Sequence, residues 1–266
     1  MDQLFPHAGD HSIQNAVLAV EWSPEIDATQ LESIRGAAHG LVQDFKEETQ
    51  QTIRVSFSNA PGNVPTSAPA PEISGYAYSR FSPAGELQKQ VQISRGSCLI
   101  VVADYQRWKQ LIADVKSVFA VVLSALPASV TISTVGLQYS DRFIWKANAE
   151  TLDLREVFRA NSPYLTAHSL DCKQAWHSHH GYFEKSVVPT PHNRLDIINI
   201  NVVDEPSGRA IQVLTSHRAA LDGPLQAAGA LDQVVAMQDA LHDLNKGIFR
   251  ELLTEPLLQK IHLNGN

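Results

Sequence analysis

The stretch from Tyr105 to Trp145 constrains the fold most tightly. Trp108, Leu111, Ile112, Val115, Val118, Phe119 and Val122 recur at helical spacing, and Pro127 ends the run. Directly afterwards Val130–Trp145 alternates, which puts Val135, Leu137, Tyr139, Phe143 and Trp145 on one face of a strand. A helix with one apolar stripe, joined by a short turn to a strand with one apolar face, buries both surfaces best by packing helix on sheet. The expected fold class is therefore α+β.

The rest of the chain extends that pattern. Residues 1–14 read as a loose leader. Asn15–Trp22 reads as a strand, and Asp27-x-x-Gln30 as a capping box that opens a helix with Leu31, Ile34, Ala38, Leu41, Val42 and Phe45 on one side. Thr52–Ser58 alternates as a strand, and the Pro-, Ala- and Ser-rich segment Asn59–Glu72 (59–72) reads as a loop. Strands are expected over Gly75–Ser82 and Leu87–Ala103, the second bent or split near Arg95-Gly96. The N-terminal half, 15–150, thus runs β-α-β-β-β-α-β.

The C-terminal half, 151–266, begins with a short helix around Asp153–Ala160, followed by strands over Tyr164–Gln174 and Trp176–Val188. Leu195–Val203 and Arg209–Ser216 form a hairpin through Glu205-Pro206-Ser207-Gly208. A connector, Asp222–Ala230, leads to a long helix over Leu231–Ile261, with a kink or a new helix at Pro256. Curved antiparallel sheet covered by amphipathic helices is the expected architecture. Two linked lobes and one continuous sheet both fit, and the two halves are expected to form one continuous domain.

Composition excludes several function classes. The net charge is −7, and Lys and Arg are scattered, which disfavours a sequence-independent grip on nucleic acid. The apolar runs Cys98–Ala103 and Val118–Leu126 are far shorter than the ~20 residues of a membrane span, so no membrane partner is expected. The opening MDQLFPHAGDHS has neither the basic nor the apolar part of a secretory signal, and Cys98 and Cys172 are too few for a disulfide framework. Cytoplasm is the expected compartment.

Chemistry concentrates between His168 and His217, which hold six of the eleven histidines. On a strand His177 and His179 share a face, so they can offer two imidazoles to one zinc or iron, with His192, Asp196 or His217 as a third ligand. Apart from such a divalent metal, no cofactor is expected. Asp196 lies on the apolar face of Ile198, Ile200 and Val202 and so needs a partner, for which Arg194, Arg209 and Arg218 are candidates. There is no Gly-x-Ser-x-Gly elbow and no Gly-x-x-x-x-Gly-Lys-Ser/Thr loop. The last helix carries a second apolar group that includes Met237, Leu253, Leu257 and Leu258. Together with Trp176 it reads as a surface for a protein partner or for a second copy of the chain.

Further segments stand in a recognisable order: Phe81–Gly85 (FSPAG), Tyr105-Gln106-Arg107-Trp108, Val135–Phe143 (VGLQYSDRF) and Leu241-His242-x(6)-Phe249-x(4)-Thr254. In these the chain resembles a sporadically distributed bacterial family of uncharacterised proteins. Members of that family show a Gly-Leu-Arg-Tyr-Ile-Asn-like strand where this chain has Gly136-Leu-Gln-Tyr-Ser-Asp141. The resemblance implies no established activity. The family's patchy distribution resembles that of phage-defence and toxin–antitoxin components. The expected function is a non-enzymatic binding or regulatory protein acting through protein contacts. The alternatives are a metal-dependent hydrolase or nuclease using the histidine cluster, and a small-ligand binder with a cavity between sheet and helices.

Overall fold

A computed structural model describes residues 2–52 and 71–263. The first part contains β1 (Leu4–Pro6), β2 (Ile13–Ser23), α1 (Ala28–Ala38), β3 (Lys46–Thr52), β4 (Glu72–Phe81), β5 (Leu87–Ser94), β6 (Ser97–Val102), α2 (Trp108–Ala125) and β7 (Thr131–Trp145). The second contains α3 (Ala167–Asp171), β8 (Trp176–Ser186), β9 (His192–Glu205), β10 (Gly208–Gln226), α4 (Leu231–Leu252) and α5 (Glu255–Lys260). Apart from Thr52, which ends β3, the strand expected over Thr52–Ser58 lies outside the described residues, as does most of the loop 59–72.

The fold is α+β. Ten strands among the described residues form one open antiparallel sheet, nine of them in the order β3-β4-β5-β6-β2-β7-β10-β9-β8. The short β1 pairs with β7 at Phe143–Trp145, beyond the stretch that β2 covers. The leader expected to be loose is therefore tied down, with Leu4 fully buried. Strands from both halves of the sequence share this sheet, and β7 joins them by pairing with β2 on one side and β10 on the other. Helices α1, α2 and α4 pack in sequence, α1 on α2 and α2 on α4, over β4, β6 and β7. No helix among the described residues is long and apolar enough to cross a membrane.

The buried side chains fall into two clusters. The first gathers Leu18, Val20, Leu31, Ile34, Phe119, Leu137, Tyr139 and Leu241. The second gathers Phe143, Phe158, Ile200, Val213, Phe249, Leu253, Leu257, Leu258 and Ile261. Strand β7 contributes to both, Tyr139 to the first and Phe143 to the second.

Several expectations from sequence are corrected. The helix expected to reach Phe45 ends at Ala38 and gives way to a single 3-10 turn, His39–Leu41. Gly40, the weakest helix former in this stretch after Gly36, lies in that turn. The strand that follows, Lys-Glu-Glu-Thr-Gln-Gln-Thr, has no apolar alternation to betray it. Such a charged, polar strand suits a sheet edge, where it discourages pairing with another chain. Tyr164–Gln174 is not a strand. It contains the short helix α3, capped by Thr166, whose hydroxyl accepts from the Ser169 amide.

The surface expected for a partner on the last helix is also corrected. Met237, Leu253, Leu257 and Leu258 are all at most 1% exposed. The helix stops at Leu252, Leu253 bridges to Phe158, and α5 restarts with Pro256 in its first turn. The break redirects the second apolar stripe into the chain's own core, so it needs no partner for cover. Trp176 is half-buried, with its ring 6.4 Å from that of Phe158.

Candidate functional site

Strand β7 carries a carboxylate in the middle of its buried face. Asp141 stands between Tyr139 and Phe143 and is 2% exposed. Its Oδ1 accepts the Ser12 hydroxyl at 2.7 Å, while Oδ2 has no hydrogen-bond partner among the described residues. Burial pushes this carboxyl up to about 7, and the Ser12 hydrogen bond opposes the rise only in part. A buried polar atom without a partner is uncommon in a folded chain and marks a place where something else can bind.

Asp141 lies at a half-enclosed cleft of about 720 Å³. Five separate segments build its walls: His11–Ile13 at the start of β2, Tyr105–Lys109 leading into α2, β7, one face of α4, and Ile261–Leu263 after α5. Tyr139, Tyr105 and Trp108 belong to or pack on the first core cluster, and Phe249 and Ile261 belong to the second. The cleft is therefore the gap left where the two clusters meet.

Its aromatic groups are ordered by mutual contacts. The Trp108 indole stacks on His242 at 4.2 Å and 9°, and its Nε1–H donates to Asp239 at 2.7 Å. Tyr139 Oη lies 2.9 Å from His242 Nδ1. Burial, helped by Lys246, lowers His242 to about 4, so the ring is neutral at pH 7. The tautomer of the neutral ring sets which of the two groups donates in this hydrogen bond. Tyr105 meets His11 and Tyr139 edge-on, at 5.4 and 6.2 Å. Burial lowers His11 and raises Tyr105 to about 12. Arg107, Lys109 and Lys246 bring positive charge to the cleft, where Asp239 and Asp243 bring negative.

A second polar cluster adjoins the cleft but is closed. Asp196 is fully buried and accepts from Arg194 Nε at 2.8–2.9 Å and from His217 Nδ1 at 2.8 Å. Arg194 also reaches Glu184 at 2.6 Å, and His217 Nε2 lies 3.2 Å from Asn245 Oδ1. Asn245 is the one member of this network that also lines the cleft. Of the three arginines that sequence offers to Asp196, Arg194 takes the place. Arg209 pairs with Asp204, and Arg218 with Glu21.

The structure does not bring the expected metal ligands together. Cross-strand partners share a face, and His177 and His179 stand opposite Asn201 and Asn199, whereas Asp196 stands opposite Tyr182 and His217. His177 and His179 are thus exposed on one side of the sheet, while His192, Asp196 and His217 are buried on the other. His192 lies four residues from Asp196, about 13 Å along the strand, and its Nδ1 contacts the Thr190 carbonyl at 2.7 Å. Only Asp196 and His217 meet, and the Arg194 guanidinium already bonds both oxygens of that carboxylate.

No family model matches the chain, and no curated protein matches it. The resemblance seen in sequence therefore rests on its quoted segments alone. Those segments converge: Tyr105, Arg107, Trp108, Tyr139, Asp141, His242 and Phe249 come from three of the four, and all seven line the cleft. Sequence reasoning missed the site, although one signal was present. Asp141 interrupts the apolar alternation from Val135 to Trp145, the same kind of anomaly that singles out Asp196.

Proposed function

We propose that the protein binds a small organic ligand in the cleft between β7, α2 and α4, and acts as a ligand-binding or ligand-sensing protein. The observation that carries this reading is Asp141, a buried carboxylate with an unpaired Oδ2, among the residues that line an aromatic-walled space. A volume of about 720 Å³ lies within the ~300–1,000 Å³ usual for small-molecule sites. Two features make this a built pocket and not a packing gap. Its walls are fixed by side-chain contacts, and its polar groups converge on a mainly apolar lining.

A thermal-shift screen of nucleotides and common metabolites tests the reading. A true ligand at a hundred times its Kd stabilises the fold by about 2.7 kcal/mol, which raises the unfolding midpoint by several degrees. Trp108→Ala removes one wall and is expected to weaken binding by roughly tenfold. Failure of every compound class to stabilise the wild type would sink the proposal.

A second reading, action through protein contacts, is favoured by a different observation. Strand β8 ends the sheet, and Phe183, Val187 and Val188 near its end are 71–74% exposed. An open strand edge beside exposed apolar residues suits pairing with a second copy of the chain. Sedimentation should then show a concentration-dependent dimer that Phe183→Lys abolishes. A monomer at the highest soluble concentration speaks against it.

A further inference from the structure

We infer that the cleft takes a planar nitrogen heterocycle of the nucleobase type, held edge-on by Asp141 and face-on by the aromatic walls. This inference rests on the reading of the cleft as a ligand site and narrows it to a chemical class.

The two oxygens of Asp141 differ in their surroundings. Oδ1 accepts the Ser12 hydroxyl and keeps one lone pair free, while Oδ2 is buried and unpaired. In its neutral form the carboxyl carries its proton on Oδ2, since Oδ1 is already an acceptor. The residue then presents an O–H donor and an acceptor side by side. The complement is an edge with an acceptor next to an N–H donor. A ring nitrogen beside an amino group has this edge, and so does a ring carbonyl beside an imino N–H. The burial that holds Asp141 near pH 7 keeps much of the neutral form available at physiological pH.

The surroundings select against the competitors. A purely apolar occupant would leave Oδ2 unpaired and dry, which forfeits the desolvation cost of that atom. A carboxylate ligand offers acceptors only, so it would use just the donor of a neutral Asp141 and be repelled by the ionised form. An ammonium ligand would pair well with an ionised Asp141. It has no acceptor, however, for the O–H that the neutral carboxyl offers. A flat heteroaromatic ring uses the partly exposed faces of Tyr105 and Trp108, since every such ring has a face to stack. The cleft exceeds what a bare base fills, and its cationic side chains can receive an anionic substituent.

Isothermal titration calorimetry with adenine, cytosine, AMP, CMP, indole and phenethylammonium tests this on the wild type, Asp141→Asn and Asp141→Leu. Asparagine keeps an acceptor at the Oδ1 position and a donor at the Oδ2 position, whereas leucine keeps neither. The expected result is that at least one base or nucleotide binds, keeps its affinity within about threefold in Asp141→Asn, and loses at least tenfold in Asp141→Leu. Loss of binding in Asp141→Asn, or binding that is indifferent to Asp141→Leu, would overturn the inference. Binding of indole or phenethylammonium alone also overturns it, yet leaves the cleft standing as a ligand site. If no probe of any class binds, the inference fails, and the wider thermal-shift screen decides the ligand-site reading separately. Within a positive result, nucleotides that bind tenfold better than free bases assign the cationic rim to phosphate, and equal affinities assign recognition to the base alone. Circular dichroism of both variants separates lost binding from lost folding.

Discussion

Asp196→Ala is expected to lower the stability of the fold by about 3–5 kcal/mol, the usual cost of removing one partner from a buried ion pair. The carboxylate is fully buried and serves both Arg194 and His217, which are themselves at most 8% exposed. Without it, a guanidinium and an imidazole on adjacent strands face each other in a dry interior. The midpoint of urea denaturation measures the effect. Arg194→Met in the same chain should recover part of the loss, because it removes the charge that Asp196→Ala leaves uncompensated. An effect below about 1 kcal/mol would show that the network is wet or readily rearranged.

Asp141→Asn is expected to have the opposite sign at neutral and alkaline pH. An aspartate in the unfolded chain titrates near 3.9, and in the fold burial raises Asp141 to about 7. Between those values the native state holds a proton that the unfolded chain has released. Stability from this group is therefore complete below about pH 4, falls as pH rises towards 7, and is flat above. About three pH units at about 1.4 kcal/mol each set an upper bound of roughly 4 kcal/mol. Asparagine keeps the acceptor for Ser12 and has no charge to lose. It should match the wild type near pH 4 and unfold some 5–10 °C higher at pH 8, by the ~2–4 °C per kcal/mol of chains this size. Parallel curves for the two proteins would contradict a buried, titrating Asp141.

Much of the fold was legible because apolar periodicity reports burial. The stripe from Trp108 to Val122 and the alternation from Val130 to Trp145 became α2 and β7, and Asp27 and Gln30 form the capping box their spacing announces. The illegible parts have equally physical causes. The polar edge strand Lys46–Thr52 buries too little to show a pattern. Leu253, Leu257 and Leu258 looked like spare surface, because no local rule says that a break in the helix at Leu253 will turn them inward. Histidine spacing along β8 was real but pointed outward, since which face of a strand is covered depends on helices far away in sequence. The cleft needed five segments between residues 11 and 263 to meet, and spacing along the chain carries no trace of such a meeting.

The position of Asp141 between Tyr139 and Phe143 has a consequence for how the protein opens. Each core cluster has its own set of side chains, and the cleft is lined by members of both. Cooperative unfolding units in proteins tend to part along boundaries between such clusters. A bound molecule would contact Trp108 and Tyr139 on one side and Phe249 and Ile261 on the other, and so act as a shared piece of both interiors. Amide exchange in α4, which runs along both clusters from Val234 to Leu252, would then slow over its whole length and not at one end. In that sense the cleft is the hinge line of the molecule's cooperativity as well as a place to bind.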